Sequence, residues 1–303
     1  MYKANYHTHM RFCNHAVGDV KDYVEAAIKY GLIELGMTDN GPIPSYFMNE
    51  EDYKRTISYE NMKEEEVSLY LKQIEDCQKI YGNKIKILSG FEVEFLEKQK
   101  SFYENLRKKV DYLNLGIHFY EYNGKLYDTY NEVTYDSLDG YLETVKKALN
   151  TNIFNTLVHP DLFMYRYKDI NGNWNFDEKC EYVTREIIKE CIKHDVYVEI
   201  NANGLRKAAD IYDRSTWKYP YVRFWEIAKE YKDLKILIGA DAHEPFRLFN
   251  ENVREVIKFS EELGLNIKEK MEIKHWEVIV LRTIIHFLNM IIQRKCMIIY
   301  MIY

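Results

Sequence analysis

Seven short apolar runs, each followed by a longer stretch with helical spacing, constrain this chain more than any other feature. They read as strands over Tyr2–His7, Ile33–Met37, Ile85–Leu88, Tyr112–Ile117, Phe154–Val158, Val196–Ile200 and Leu234–Ile238. Between them lie helical patterns. Asp19 is placed to cap a helix with Val20, Tyr23, Val24, Ala27 and Ile28 on one face, and others are predicted over Ser137–Leu149 and Asp177–His194. Strand-then-helix units repeated in this way build a parallel sheet or a closed β/α barrel, with the strand C-termini gathered on one face. A chain of 303 residues exceeds the usual single-domain size unless it is a barrel.

The strand exits carry the chemistry. His7 and His9, two residues apart, leave the same face of one strand, and His15 follows in the next loop. The third strand runs into Glu92 and Glu94, whose alternation puts both carboxylates on one face. The fourth and fifth deliver His118 and His159, and the seventh delivers Asp241 and His243, again on a shared face. Six of nine histidines therefore lie at or just beyond a strand end, with Asp39, Glu92 and Asp241 among them. A barrel brings them into one pocket. His194, His275 and His286 fall in or beside helical patterns and read as structural or surface residues. Imidazoles with carboxylates and without thiolates suit zinc, iron or manganese, and a carboxylate can bridge two such ions. Two ions roughly 3.5–4 Å apart clamp the attacking and leaving oxygens of a phosphoryl displacement, and an ion lowers the pKa of bound water toward about 7.

Other classes are weakened. A net charge of −6 with no basic tract argues against nucleic-acid binding. Cys13, Cys77, Cys180, Cys191 and Cys296 are odd in number and form no C-x-x-C, which favours a reducing compartment and no thiolate zinc site. No secretory signal is visible, so a cytoplasmic location is expected. G-x-S-x-G, Walker and G-x-G-x-x-G patterns are absent, which removes support for serine hydrolase, P-loop and dinucleotide readings. From Glu277 to Tyr303 the chain is apolar, but Arg282, Arg294 and Lys295 divide it into pieces too short for a clean membrane span. A closing helix, a homo-oligomer contact or an altered reading frame are the alternatives for that tail.

Taken together, these residues carry a family resemblance. HTHMRFCNH (His7 to His15) with the following Ala16, Val17 and Gly18, GMTDNGP (Gly36 to Pro42), GFEVE (Gly90 to Glu94), GIHF (Gly116 to Phe119), HPDLF (His159 to Phe163), NGLRK (Asn203 to Lys207) and GADAH (Gly239 to His243) stand in family order between residues 3 and about 265. The sequence resembles the polymerase-and-histidinol-phosphatase (PHP) superfamily, and within it the histidinol-phosphatases. That resemblance implies a distorted (β/α)7 TIM-like barrel over residues 1–270, followed by the tail at 271–303. It implies two or three divalent ions and hydrolysis of a small phosphate ester, L-histidinol phosphate, in histidine biosynthesis. The runner-up is a PHP-type phosphoesterase acting on a nucleotide or sugar monophosphate; no nucleic-acid or membrane partner is expected.

Carried over by position, the resemblance places His7, His9, Glu92 and Asp241 around one ion. Glu92 bridges to a second ion held by His118 and His159. A third uses His15, His243 and the residue after Asp39, which here is Asn40; an amide is a weaker ligand than imidazole, and the alternatives are a weaker site, one that recruits Asp39 instead, or an empty one. Arg206 is the first candidate for the phosphate, since a guanidinium fork matches two phosphoryl oxygens; Lys207 and Arg11 are weaker ones. Asp161 is expected to orient a ligand or to assist proton transfer to the leaving alkoxide. The long connection from Gly41 to about Ser58 suits a lid, and its Tyr46, Phe47 and Tyr53 could cover an imidazole-bearing substrate.

Overall fold

A computed structural model describes residues 2–45, 49–57 and 61–273. In chain order its strands are β1 (Ala4–Asn5), β2 (Glu34–Met37), β3 (Lys86–Val93), β4 (Tyr112–Leu115), β5 (Phe119–Tyr122), β6 (Lys125–Asp128), β7 (Thr156–Leu157), β8 (Tyr197–Asn201) and β9 (Ile236–Gly239). The helices are α1 (Val20–Lys29), α2 (Glu50–Ile57), α3 (Val67–Tyr81), α4 (Lys100–Arg107), α5 (Leu138–Leu149), α6 (Glu178–Lys193), α7 (Val222–Ala228) and α8 (Glu251–Leu263). Seven strands pair in the order β1-β2-β3-β4-β7-β8-β9, every pair parallel. Closure comes just past the short β1. Thr8 bridges Ala242, the His9 amide donates to the Ala242 carbonyl at 2.8 Å, and the Ala242 amide donates to the His7 carbonyl at 3.3 Å. The expected seven-stranded, distorted barrel is the observed one. No helix among the described residues is long and apolar enough to cross a membrane.

The expected elements differ in extent. Tyr2–His7 contracts to Ala4–Asn5 because the backbone beyond it pairs with the loop after β9. The third strand lengthens, running on through Gly90 to Val93, so Glu92 belongs to the ladder and pairs in register with Asn114. Asp19 caps α1 as expected, in a reciprocal box with Asp22. The β5–β6 hairpin was not anticipated from the hydrophobic pattern. Its turn, Asn123-Gly124, has φ of 50° and 75°, the left-handed pair that a two-residue hairpin loop needs and that Asn-Gly supplies at low cost.

Alternation layers the barrel interior. Tyr6, Leu88, Tyr112, Tyr197 and Leu237 form a buried apolar cluster, and the same faces of β3, β4, β8 and the β9 exit carry Glu92, Asn114, Glu199 and Asp241 two to four residues on. Met271 packs into that cluster. Its amide donates to the Tyr6 hydroxyl at 2.8 Å, and the Glu272 amide donates to the Tyr197 hydroxyl at 3.0 Å. A chain ending at Lys270 should therefore be less stable than one ending at Ile273 by about 2–3 kcal/mol, the worth of a buried methionine and its neighbouring hydrogen bonds. Thermal denaturation of the two chains checks this, and equal Tm values would refute it. Tyr46, Phe47, His275, His286 and the tail from residue 274 lie outside the described residues.

Candidate metal centre

The site is assembled at the C-terminal mouth of the barrel. His7 and His9 follow β1, Glu92 sits in β3, His118 follows β4, His159 follows β7, and Asp241 and His243 follow β9. His15 arrives from the loop after a single 3-10 turn, Arg11–Cys13. His159 and Asp241 leave their strands with φ of 33° and 45°. Left-handed backbone at a non-glycine residue costs about 1 kcal/mol or more and persists only where surrounding structure holds it. Here it turns both side chains from the strand direction into the pocket.

Glu92 is the hub. Its Oε2 lies 3.0 Å from His7 Nε2 and 3.3 Å from His9 Nε2, while Oε1 lies 2.8 Å from His159 Nε2 and 3.5 Å from His118 Nε2. Each oxygen thus faces its own pair of imidazole nitrogens, the arrangement of a carboxylate that spans two cations. Gly116 makes room for it, since a Cβ at that position would stand 2.3 Å from Glu92 Oε1. Asp241 Oδ1 lies 3.1 Å from His9 Nε2 with no hydrogen-bond partner of its own, and Oδ2 accepts from the amides of Asn201 and Asn203, both at 3.1 Å.

Four rings are anchored through Nδ1, which leaves Nε2 turned inward. His7 Nδ1 meets Glu199 Oε2 at 2.7 Å and His118 Nδ1 meets Glu94 Oε1 at 2.6 Å. His15 Nδ1 donates to the Cys13 carbonyl and His243 Nδ1 to the Asp241 carbonyl, both at 3.0 Å. Because a carbonyl only accepts, both rings keep their Nδ1 hydrogen for the backbone and turn Nε2 toward each other, 2.8 Å apart. Burial, then repulsion from His9, depresses the pKa of His243 to about 3, so it brings no proton to that contact. Two imidazole nitrogens turned on each other at this distance suit a shared cation. The donor set therefore fits metal binding, with carboxylate and carbonyl groups orienting the ligands from behind.

The charge balance agrees. Burial alone would raise the pKa of Glu92, but His7, His118 and His159 hold it well below the usual carboxylate range; Asp241 is held down in the same way by His7, His243 and His9. Burial alone would lower His7 and His9, yet the carboxylates of Glu199, Glu92 and Asp241 around His7, and of Asp241, Asp39 and Glu92 around His9, raise both well above the ordinary imidazole value. Four buried carboxylates, Asp39, Glu92, Glu199 and Asp241, demand positive charge. A divalent ion supplies it in place of those protons.

Above the centre opens a pocket of about 430 Å³. His9, His15, Asn40, Glu92, His118, His159, Asp241 and His243 line it, as do Arg206 and Lys207. His7 lies beneath, buried against Glu92 and Glu199. Asn40 faces the pocket, whereas Asp39 is buried behind it, 3.9 Å from His9 Nδ1 and accepting from the Asn40 amide. Two expected residues stand elsewhere. Arg11 donates to Asp19 and lies over the Phe12 ring, outside the pocket lining. Asp161 is fully buried and accepts from the Tyr221 amide and the Trp225 indole, so it ties the start of α7 to the loop after β7; burial raises its pKa to about 7. Proton delivery to a bound ester is not a role this placement supports. Tyr53 belongs to α2 and lines a separate cleft with Pro42 and Met62.

Several functional residues escaped the sequence reading. Glu199 carried a signal, a lone carboxylate inside the apolar run VYVEIN that had to find a buried partner. Gly239 makes room for it, since a Cβ there would stand 2.1 Å from Glu199 Oε2. Glu94 was placed on the face of Glu92 but given no task. Tyr130, the consecutive Tyr165 and Arg166, and Tyr219 reach the pocket from three separate segments with nothing local to mark them.

The PHP domain family matches residues 5–203. A histidinol-phosphatase of Bacillus subtilis is 24% identical over 270 residues, 80% of this chain and 94% of that protein. Histidinol phosphate phosphatase of Lactococcus lactis, crystallised with zinc, L-histidinol and phosphate, shares the fold with a TM-score of 0.65 at 19% identity, over 89% of this chain and 99% of that one. HisK of Listeria monocytogenes does so with a TM-score of 0.66 at 21% identity, over 82% and 98%. With the family match spanning more than half of its length and the imidazole–carboxylate centre in place, the chain belongs to the PHP domain family, in which it is similar to histidinol-phosphatases.

Proposed function

We propose that this protein hydrolyses L-histidinol phosphate to L-histidinol and inorganic phosphate, as a cytoplasmic step of histidine biosynthesis. The observation that carries the reading is Glu92, set between two pairs of imidazole nitrogens at the floor of a pocket whose wall carries Arg166, Arg206 and Lys207. The named alcohol follows from likeness to the Bacillus subtilis enzyme across most of both chains. In this reading His7, His9, Glu92 and Asp241 hold one divalent ion, Glu92 with His118 and His159 a second, and His15, His243 and Asn40 a third, the metals being zinc, iron or manganese. When bound, such ions act as Lewis acids and make water nucleophilic at neutral pH.

The protein's own groups do the positioning. Arg206, Lys207 and Arg166 neutralise the phosphoryl oxygens, a guanidinium offering a two-pronged match that a lysine lacks. Asn201 and Asn203 fix Asp241, while Glu199 and Glu94 fix His7 and His118, so the ligands are aligned before substrate arrives. Among the described residues the pocket lining contains no serine, threonine or cysteine, and its imidazoles and the carboxylates of Glu92 and Asp241 are turned to the metal centre, which suits direct attack by water without a phosphoenzyme.

Phosphate release from L-histidinol phosphate, measured beside nucleotide and sugar monophosphates, tests the reading. Activity should vanish on chelation, return with zinc, iron or manganese, and favour histidinol phosphate. Metal-dependent turnover of another monoester alone would discard the substrate, and no turnover with any metal would discard the function. In the same assay Arg206→Ala should raise KM by about 10- to 100-fold, the worth of a charge-assisted contact. An unchanged KM would remove Arg206 from the phosphate site.

A further inference from the structure

The unanticipated hairpin does more than cover the barrel mouth. Asp128, the last residue of β6, pairs in register with Phe119, the residue that follows His118. The next residue, Thr129, ties the hairpin down: its amide donates to the His118 carbonyl at 2.8 Å and its hydroxyl to the Ile117 carbonyl at 2.7 Å. Tyr130 then stacks on the His118 ring, with the planes 8° apart. Asp128 is therefore fixed beside the metal centre, on a rigid element, and it lines the same pocket.

Its charge is uncommitted. Three carboxylates line the pocket, and Glu92 and Asp241 are engaged by imidazoles. Among the described residues the Asp128 carboxylate accepts only from neutral donors, the Tyr130 amide at 2.8 Å and the Asn131 side-chain amide at 2.7 Å. The nearby cation Lys125 pairs with Glu132 instead. A half-buried carboxylate has sites for more than two donors, and one without a counter-ion raises the local affinity for a cation. The pocket's own cations, Arg166, Arg206 and Lys207, have no carboxylate within ion-pair distance among the described residues. The pocket thus offers unpaired charges of both signs, a pattern complementary to a ligand that is itself zwitterionic.

We propose that Asp128 is a specificity-determining residue that receives an ammonium group on the leaving alcohol, so that the enzyme selects phosphate monoesters of amino alcohols over those of neutral alcohols. This rests on the phosphomonoesterase reading above and deepens it: sugar and most nucleotide monophosphates carry no ammonium there.

The test compares 2-aminoethyl phosphate with ethyl phosphate, and L-histidinol phosphate with its deamino analogue, on the metal-loaded full-length protein and on Asp128→Asn. In the wild type the amine-bearing ester of each pair should have the higher kcat/KM, by about 10- to 100-fold, the worth of a hydrogen-bonded ion contact. In Asp128→Asn that ratio should collapse toward one, mainly through KM. A wild-type ratio near one, or a ratio that survives the substitution, overturns the proposal while the hydrolase reading stands. Failure of the wild type to release phosphate from any of the four esters overturns both.

Discussion

Glu92→Gln is expected to lower kcat/KM by about 1,000-fold or more, equivalent to about 4 kcal/mol of transition-state stabilisation at 1.36 kcal/mol per decade. The substitution keeps the shape and removes the charge. One carboxylate oxygen now faces His7 and His9 and the other faces His118 and His159. An amide would aim its NH2 group at one of those pairs and present a single weak acceptor to the other, so no orientation restores both sets. The burial that makes Glu92 a strong ligand also makes its replacement severe, because the charge it supplies to the surrounding imidazoles is lost where few other groups can replace it. Metal content should fall by at least one ion per chain, as read by elemental analysis, while circular dichroism reports a folded barrel. Activity within tenfold of the wild type, with full metal content, would remove Glu92 from the hub of the centre.

Glu199→Gln should act one layer further out and therefore differently. Glu199 does not line the pocket; it accepts from His7 Nδ1 at 2.7 Å and from the Asn201 side chain at 2.7 Å, in a space cleared by Gly239. Loss of such a partner costs about 10- to 100-fold in metal affinity, because the ring loses both its orientation and part of its basicity. The expected result is a right-shifted metal titration, measured by competition with a chromophoric chelator. Turnover at saturating metal should recover to within a few-fold of wild type. That recovery separates the two residues: Glu92→Gln should not be rescued by excess metal, and Glu199→Gln should be. Unchanged affinity in Glu199→Gln would mean that packing alone holds the His7 ring.

The two residues also show what was legible. Glu92 could be located because it ends a strand pattern beside a glycine, and parallel strands in a barrel deliver their ends to one face. Glu199 is equally buried and equally polar, but it lies in mid-strand. Its role depends on which strand stands opposite, and that is His7, 192 positions away. Asp161 and Arg11 fail in the converse way. Both sit within two residues of a metal-facing histidine, yet backbone direction at that point sends Asp161 toward Trp225 and Arg11 toward Asp19. Proximity in sequence predicts a shared loop, not a shared pocket.

Local periodicity, and the recurrence of histidine and carboxylate where apolar runs end, were enough by themselves to indicate a parallel β/α architecture, open sheet or closed barrel, with its imidazoles and carboxylates gathered at the strand ends. Both depend on short-range backbone geometry, the two-residue repeat of a strand and the cap of a helix. The tertiary structure alone decided the rest. It set closure through Thr8 and Ala242, the pairing of each ring with its anchor, the arrival of Arg166 and Asp128 at the rim, and the packing of Met271 against the apolar layer below. Each of these is a contact between segments distant in the chain, fixed by strand order and close packing, for which no local pattern of residues can stand in.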